Sequence, residues 1–114
     1  MGGITANELE LLACFGVEPK LDEPGTPWAY NEALYLVEVD GLSVSLAVQP
    51  SDRYLRLIVR RGEQTLFEIN GVGVQDLKVI HERAVDELEI VLSEGSSLNM
   101  QLRPVFGITQ WFER

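Results

Sequence analysis

Apolar and polar residues alternate along most of the chain from Ala33 onward. The alternation is clearest over residues 42–49, 87–92 and 98–103, where one side of the pattern is almost entirely Leu, Val, Ile or Met. A period of two is typical of a β-strand that buries one face. About eight such segments follow one another at intervals of about 8–12 residues between residues 33 and 112, which is the signature of a β-sandwich or barrel.

Short turn segments separate the predicted strands and indicate how they are connected. Asp40-Gly41 is a pair that two-residue type I′ hairpins prefer. Asn70–Gly73 is a second strong turn signal, with Gly73 suited to a bulge. Pro104 ends a strand or marks a sheet edge. Parallel strands need long crossover connections, and the segments between the predicted strands are too short to provide them. We therefore expect a mainly β, antiparallel meander in which each strand pairs with the next.

The first part of the chain has a different pattern. Thr5-Ala6-Asn7-Glu8 fits a capping box in which Thr5 is the N-cap. Leu9 and Leu12 then follow at helical spacing, and Gly16 is placed to end a helix. The sequence therefore predicts one short N-terminal helix over about residues 5–15.

Residues 17–32 form a predicted loop that is rich in proline. Pro19, Pro24 and Pro27 remove backbone donors and disfavour a helix before each ring. A loop of about 15 residues is long for a compact domain. Its Trp28 and Tyr30 either pin the loop to the body of the protein or bind a partner, and pinning is the favoured interpretation.

Composition and charge narrow the class of protein. The chain has 114 residues, of which 46% are hydrophobic and 24% charged, as expected for a single globular domain over residues 1–114. The net charge is −9, and residues 1–40 alone carry −7, from eight carboxylates and Lys20. Such a chain is repelled by nucleic acids and by anionic membranes. The acidity either selects a basic partner or only keeps the protein soluble.

Candidate catalytic and metal-binding residues are few. Cys14 is the only cysteine and His81 the only histidine, which excludes an internal disulfide and any site with several histidines. We expect Cys14 to be a buried thiol and His81 to lie at a solvent-exposed strand end. Neither a secretory signal nor an apolar run of roughly 20 residues that could cross a bilayer is found. A cytoplasmic protein without a cofactor or a catalytic set is therefore expected.

Two groups of residues are candidates for binding. A small anionic or apolar ligand in a barrel is the alternative to a protein partner. Its anionic group would contact Tyr54, Arg56 and Arg60, which share one face of a predicted strand. The two arginines also have cross-strand carboxylates, Glu38 or Glu68, within reach of the predicted pairing. The candidate protein-binding residues are Glu18, Asp22, Glu23, Trp28, Tyr30 and Trp111.

The last predicted strand, residues 105–112, has aromatic residues on both faces. Such a strand is either covered or used for interaction. We expect Trp111 to contact a second subunit, forming a homodimer through this strand, or to contact the loop that carries Trp28.

In size, charge and class the chain is similar to several bacterial immunity proteins that neutralise toxins. This is an analogy of form and not of residues. It implies a non-enzymatic protein-interaction domain, of which an immunity protein or inhibitor acting on a basic nuclease toxin is one concrete form. Acidic groups would then occupy the nucleic-acid cleft of the toxin and steer association.

Overall fold

A computed structural model describes residues 4–82, 84–93 and 95–112, and strands dominate these residues. One α-helix, α1, spans Glu8–Phe15, and short 3₁₀ turns span Trp28–Tyr30 and Pro50–Asp52. The prediction of a mainly β fold with one short helix is confirmed. The strands are β1 Lys20–Leu21, β2 Ala33–Val39, β3 Leu42–Gln49, β4 Tyr54–Arg61, β5 Gln64–Gly73, β6 Asp76–Glu82, β7 Val85–Ser93, β8 Ser96–Arg103 and β9 Gly107–Phe112.

The strands form two antiparallel sheets in chain order, β1 to β5 in the first sheet and β6 to β9 in the second. The predicted meander is confirmed, and two separate sheets make it a sandwich. The chain crosses from one sheet to the other at Val74 and Gln75. The Val74 N–H donates to the carbonyl of Arg53, in the turn before β4, at 2.7 Å, and the Gln75 N–H donates to the carbonyl of Val91, in β7 of the second sheet, at 2.8 Å.

One hydrophobic core lies between the sheets. Leu46 and Leu57 of the first sheet and Ile90 and Met100 of the second are completely buried. They belong to one cluster that also includes Phe15 of α1. Full burial of such a side chain contributes about 1.5–3 kcal/mol. The apolar side chains that the alternation predicts to face inward are therefore the main source of the stability of the fold.

The turn at Asp40-Gly41 is as predicted. Both residues have positive φ angles, 52° and 78°, which is the backbone of a type I′ turn. The turn joins β2 to β3 in unbroken register. Aspartate, like asparagine, tolerates a positive φ angle, and glycine adopts one without steric cost, so Asp40 and Gly41 are suited to the two central positions of this turn.

The turn predicted at Asn70–Gly73 is wrong, because β5 continues through these residues. Leu57 pairs with Ile69 and Leu55 pairs with Val72, so β5 has an extra residue between these two pairs. The structure therefore has a bulge within the segment, N-terminal to the predicted position. A glycine-containing segment can keep its pairing across such a bulge, and the length of β4 determines how far β5 extends.

The helix begins at Glu8 instead of Thr5. Asn7 is the N-cap: its Oδ1 accepts the Glu10 N–H at 2.8 Å, and Glu10 Oε1 accepts the Asn7 N–H at 3.0 Å. Thr5 instead donates its N–H and its hydroxyl to the Asp76 carboxylate, at 2.7 and 2.6 Å. The capping box is therefore formed two residues later than predicted, and Thr5 binds a distant carboxylate instead of the helix. In the described ranges, no helix is both long enough and apolar enough to span a membrane.

Candidate protein-binding surface

The predicted loop over residues 17–32 is ordered by one buried side chain, Asn31, which is 3% exposed. Its Nδ2 donates to the carbonyls of Glu23 and Thr26 at 2.6 and 2.9 Å, and its Oδ1 accepts the Glu23 N–H at 3.1 Å. These three bonds fix the segment that contains Pro24 and Gly25. Asn31 was not among the residues predicted to have a role, although asparagine is a residue that commonly organises turns through such bonds.

Trp28 fixes the second half of the loop. Its Nε1 donates to the Tyr35 hydroxyl at 3.0 Å, and Tyr35 is fully buried and stacks on Phe15 with ring centroids 5.2 Å apart. Burial raises the pKa of Tyr35 to about 12, and the bond from Trp28 acts in the opposite direction. The hydroxyl is therefore neutral at ordinary pH. The prediction that an aromatic residue pins the loop is confirmed at Trp28.

The same loop leaves other side chains exposed to solvent, where a partner could contact them. Tyr30 is 72% exposed, and Glu18, Asp22 and Glu23 are exposed on the same segment. A groove of about 640 Å³ lies between the loop and the N-terminal segment, and both Trp28 and Tyr30 line it. We call the loop and this groove the loop surface. The groove is lined by Ile4, Thr5, Ala6, Asn7, Glu8, Pro27, Trp28, Ala29, Tyr30, Pro50 and Ser51.

The structure does not place Trp111 in the loop surface. Trp111 lies on β9, at the edge of the second sheet, and is 61% exposed. Phe106 and Ile108, in contrast, pack against the core. Within β9, Ile108 thus lies on the side that faces the core, and Trp111 lies on the outer side.

The candidate ligand-binding residues lie on the outer face of the first sheet. Arg56 forms an ion pair with Glu68 across β4 and β5, with 3.2 Å between Nη2 and Oε2, which is one of the pairs considered from the sequence. Tyr54 and Arg60 follow the same side of β4 by alternation. Arg60 lines a shallow hollow of about 220 Å³ over the sheet. Binding of an anionic ligand there stays a prediction.

A polar cluster connects α1 to the second sheet. Asp86 is 8% exposed; its Oδ2 accepts from Arg103 Nε at 2.7 Å, and its Oδ1 is bonded to His81 Nδ1 at 2.7 Å. Burial, the largest influence, favours the neutral acid, but the bonds from Arg103 and His81 outweigh it and hold the pKa of Asp86 below its ordinary value. Arg103 Nη2 also donates to the carbonyl of Cys14. The cluster therefore caps the end of α1.

The cluster contains both residues that were considered for catalysis. Cys14 is fully buried, and burial, together with the charge of Asp86, raises the pKa of its thiol to about 12. It is a protonated core thiol, as predicted. His81 is exposed at the end of β6, also as predicted. Among the described residues, no three potential metal ligands lie close enough together to hold a metal ion.

These features define an antiparallel two-sheet sandwich with one short N-terminal helix. No protein-family model matches the chain, and no curated protein matches its sequence. A solved structure does match its fold: a chain of the contact-dependent growth inhibition toxin–immunity protein complex from Klebsiella pneumoniae 342. The TM-score is 0.74 with 21% identity, and the match covers 96% of each chain. This likeness shows the fold.

Proposed function

We propose that the protein is a non-enzymatic binding protein that holds a basic protein partner through the loop surface. The observation that carries the proposal is the combination of rigidity and exposure in one segment. Asn31 and Trp28 fix the loop, whereas Tyr30 is 72% exposed. A fixed loop loses little conformational entropy on binding, and an exposed tyrosine beside an apolar groove has the character of a binding hot spot.

Charge supports a basic partner. Glu18, Asp22 and Glu23 are exposed on the loop, and Glu8 lies on the wall of the groove. Carboxylates arranged in this way complement a positive surface, and they speed diffusional encounter more than they add affinity. The negative charge would repel a nucleic acid, so the chain suits the inhibitor of a nuclease better than the nuclease itself.

The fold supports a toxin as the partner. A chain with the same fold belongs to a toxin–immunity protein complex. Cys14 is buried and protonated, so this thiol is not available as a nucleophile. We therefore propose the immunity role for this chain, with the acidic loop occupying the basic cleft of a toxin domain that acts in the same cytoplasm.

The proposal is tested with the protein encoded by the gene beside this one, cloned as the candidate toxin domain. Calorimetry should show binding, and co-expression should restore growth of cells that produce the toxin domain. Tyr30→Ala should weaken binding about thirtyfold, which corresponds to the roughly 2 kcal/mol that defines a hot spot. Tyr54→Ala, a tyrosine on the outer face of β4, is the matched control and should bind normally.

Two results would contradict the proposal. The first is an absence of binding and of growth protection with the wild-type chain. The second is a tight complex that Tyr54→Ala weakens as much as Tyr30→Ala does, because the interface would then lie on the outer face of the first sheet.

A further inference from the structure

Three of the four outer strands in the described sheets are protected against pairing with another chain. β1 has two residues and follows Pro19. β5 has two register shifts against β4. At the edge of β6, the Leu77 carbonyl accepts from the Ala6 N–H and the Leu77 N–H donates to the Asp76 carboxylate, both at 2.8 Å. Short strands, bulges and covered edges are the usual ways in which proteins prevent edge-to-edge association.

β9 has none of these protections. Its register with β8 is unbroken, from Ser96 opposite Phe112 to Gln101 opposite Gly107. The chain has a net charge of −9, yet residues 107–112 contain no charged side chain. A regular, uncharged edge strand is a template for another strand.

The outward face of β9 has a projecting ring and a hollow. Gly107, Thr109 and Trp111 lie on this face, opposite polar residues of β8. Trp111 is 61% exposed. Apart from Gly107 and its two chain neighbours, no atom of the described residues lies within 4 Å of the place where a side chain of Gly107 would begin. A hollow of about 250 Å³ is open there, lined by Glu87, Asn99, Gln101, Val105, Phe106, Gly107 and Thr109.

We propose that β9 is the interface of a homodimer, in which two β9 strands pair antiparallel about a two-fold axis at Thr109. This register keeps the apolar faces of both copies on the same side of the joined sheet. It places position 107 opposite position 111, because positions opposite each other in this register sum to twice 109. Trp111 of each copy therefore lies in the hollow over Gly107 of the other copy.

Known pairing preferences agree with this register. Two threonines directly opposite each other are a favourable cross-strand pair, and an aromatic ring across from a strand glycine covers the backbone that the glycine exposes. The indole N–H of Trp111 enters a hollow whose wall includes Glu87, Asn99 and Gln101, which supplies the hydrogen-bond acceptor that a buried tryptophan needs.

A second copy fits this edge better than the basic partner does. β9 carries no carboxylate, so a basic surface would gain no charge complementarity from it. The ring and the hollow that receives it both belong to this chain. The interface uses no residue of the loop surface, so a test of the dimer gives a result that does not depend on the proposed function.

Sedimentation equilibrium of the full chain tests the dimer. We expect a species of twice the 12.8 kDa chain mass. Trp111→Ala should raise the dissociation constant of the dimer about thirtyfold, as loss of a central aromatic anchor does. Leu36→Ala removes another exposed apolar side chain, 56% exposed on the first sheet, and should leave the dimer unchanged.

Disulfide trapping tests the register. Opposite residues have Cα atoms about 4.5–5.5 Å apart, within the roughly 4.4–6.8 Å of disulfides, so Thr109→Cys should form a covalent dimer under mild oxidation. Gln110→Cys is the control, because its copies lie about 7–8 Å apart diagonally. The native Cys14 is buried and does not interfere.

The proposal is overturned by a monomer at every concentration up to about 1 mM, where an association free energy of about 4 kcal/mol would still be seen. It is also overturned by a dimer that Trp111→Ala leaves intact. Trapping by Gln110→Cys in preference to Thr109→Cys would contradict the two-fold axis at Thr109.

Discussion

At the scale of the residue, two buried polar side chains connect parts of the chain that the hydrophobic pattern leaves unconnected. Asn31 holds the loop over residues 17–32, and Asp86 holds the end of α1 through Arg103. Both side chains are almost fully buried. Because a buried polar group without a partner is costly, each of them specifies one arrangement of its neighbours.

Asp86→Asn should destabilise the protein at neutral pH and much less in acid. The pKa of Asp86 is lowered in the folded state, so the folded state favours the ionised form, and the stability that this brings is present above the ordinary pKa of about 3.9. It is lost as the pH falls through the lowered folded-state pKa. We expect Asp86→Asn to cost about 1–3 kcal/mol at pH 7.

Urea unfolding at pH 7 and at about pH 3, below the ordinary carboxyl pKa, measures this difference. Glu82→Gln, a change at an exposed carboxylate at the end of β6, is the control and should have little effect at either pH. An equal loss of stability for Asp86→Asn at both pH values would show that the charge of Asp86 plays no part.

Ile90→Ala should be among the most destabilising single changes in the second sheet. Ile90 is completely buried in the common core, and removing such a side chain costs about 2–5 kcal/mol. Val91→Ala, on the opposite face of the same strand, is the matched control and should cost clearly less. Chemical denaturation measures both, and equal losses would contradict the assignment of the two faces.

At the scale of the element, the alternation of residues was sufficient to predict most strands, because the period of two is a local property of the chain. Several of the features that were missed depend on distant partners. β5 extends through Asn70–Gly73 because β4 is long enough to pair with it. Thr5 is bound by Asp76, far along the chain, and the N-cap is instead Asn7, whose capping box with Glu10 is a second local candidate in the same segment. β1 is too short for any period to show.

The candidate site was predicted in part. The loop over residues 17–32 and its aromatic residues stood out in the sequence, and Trp28 pins the loop as expected. That Tyr30 rather than Trp28 is the exposed ring could not be read from the sequence, since both stand in the same short segment. The groove beside them is formed together with the N-terminal segment and Pro50. No local pattern in the sequence indicates that these distant segments lie next to the loop.

Asn31→Ala should loosen the loop while leaving the sheets folded. The change leaves the Glu23 and Thr26 carbonyls and the Glu23 N–H without their partner, and we expect a loss of about 1–3 kcal/mol. Hydrogen exchange should speed up at the amides of residues 22–26 and stay slow in β3 and β4. Asn70→Ala, at an exposed asparagine, is the control.

If the loop amides exchange equally slowly in Asn31→Ala and in the wild type, other contacts hold the loop, and the rigidity on which the proposed function rests has another source. The toxin affinity of the variant would then be unchanged as well.

At the scale of the whole molecule, the two proposed interfaces differ in charge. The net negative charge is concentrated in residues 1–40, which carry −7 of the total of −9, whereas β9 is uncharged and carries Trp111. The two proposed interfaces therefore use different physical forces. Long-range attraction brings the basic partner to the loop surface, and short-range packing joins two copies at β9.

Association with the basic partner should consequently slow as salt is added. The Debye length falls from about 30 Å at 0.01 M to about 8 Å at 0.15 M. In stopped-flow measurements the double variant Asp22→Asn/Glu23→Gln should reduce the association rate and its dependence on salt, with little change in the dissociation rate. Glu63→Gln, in the turn between β4 and β5, is the control. A salt-independent association rate would exclude electrostatic steering.

The chain-order pairing of strands has a consequence for how the molecule is assembled. Apart from β1, which pairs with β2 across residues 22–32, each strand meets its partner in the same sheet across a short connection, so the sheets can form through a series of loop closures of low entropic cost. α1 is different: the contacts of its flanks with Asp76 and Arg103 close loops of 71 and 89 residues. We infer that the helix docks after the sheets have formed and is the first element to detach on partial opening. Folding kinetics would show this as low φ-values at Thr5 and Arg103 beside high values in the β2–β3 hairpin.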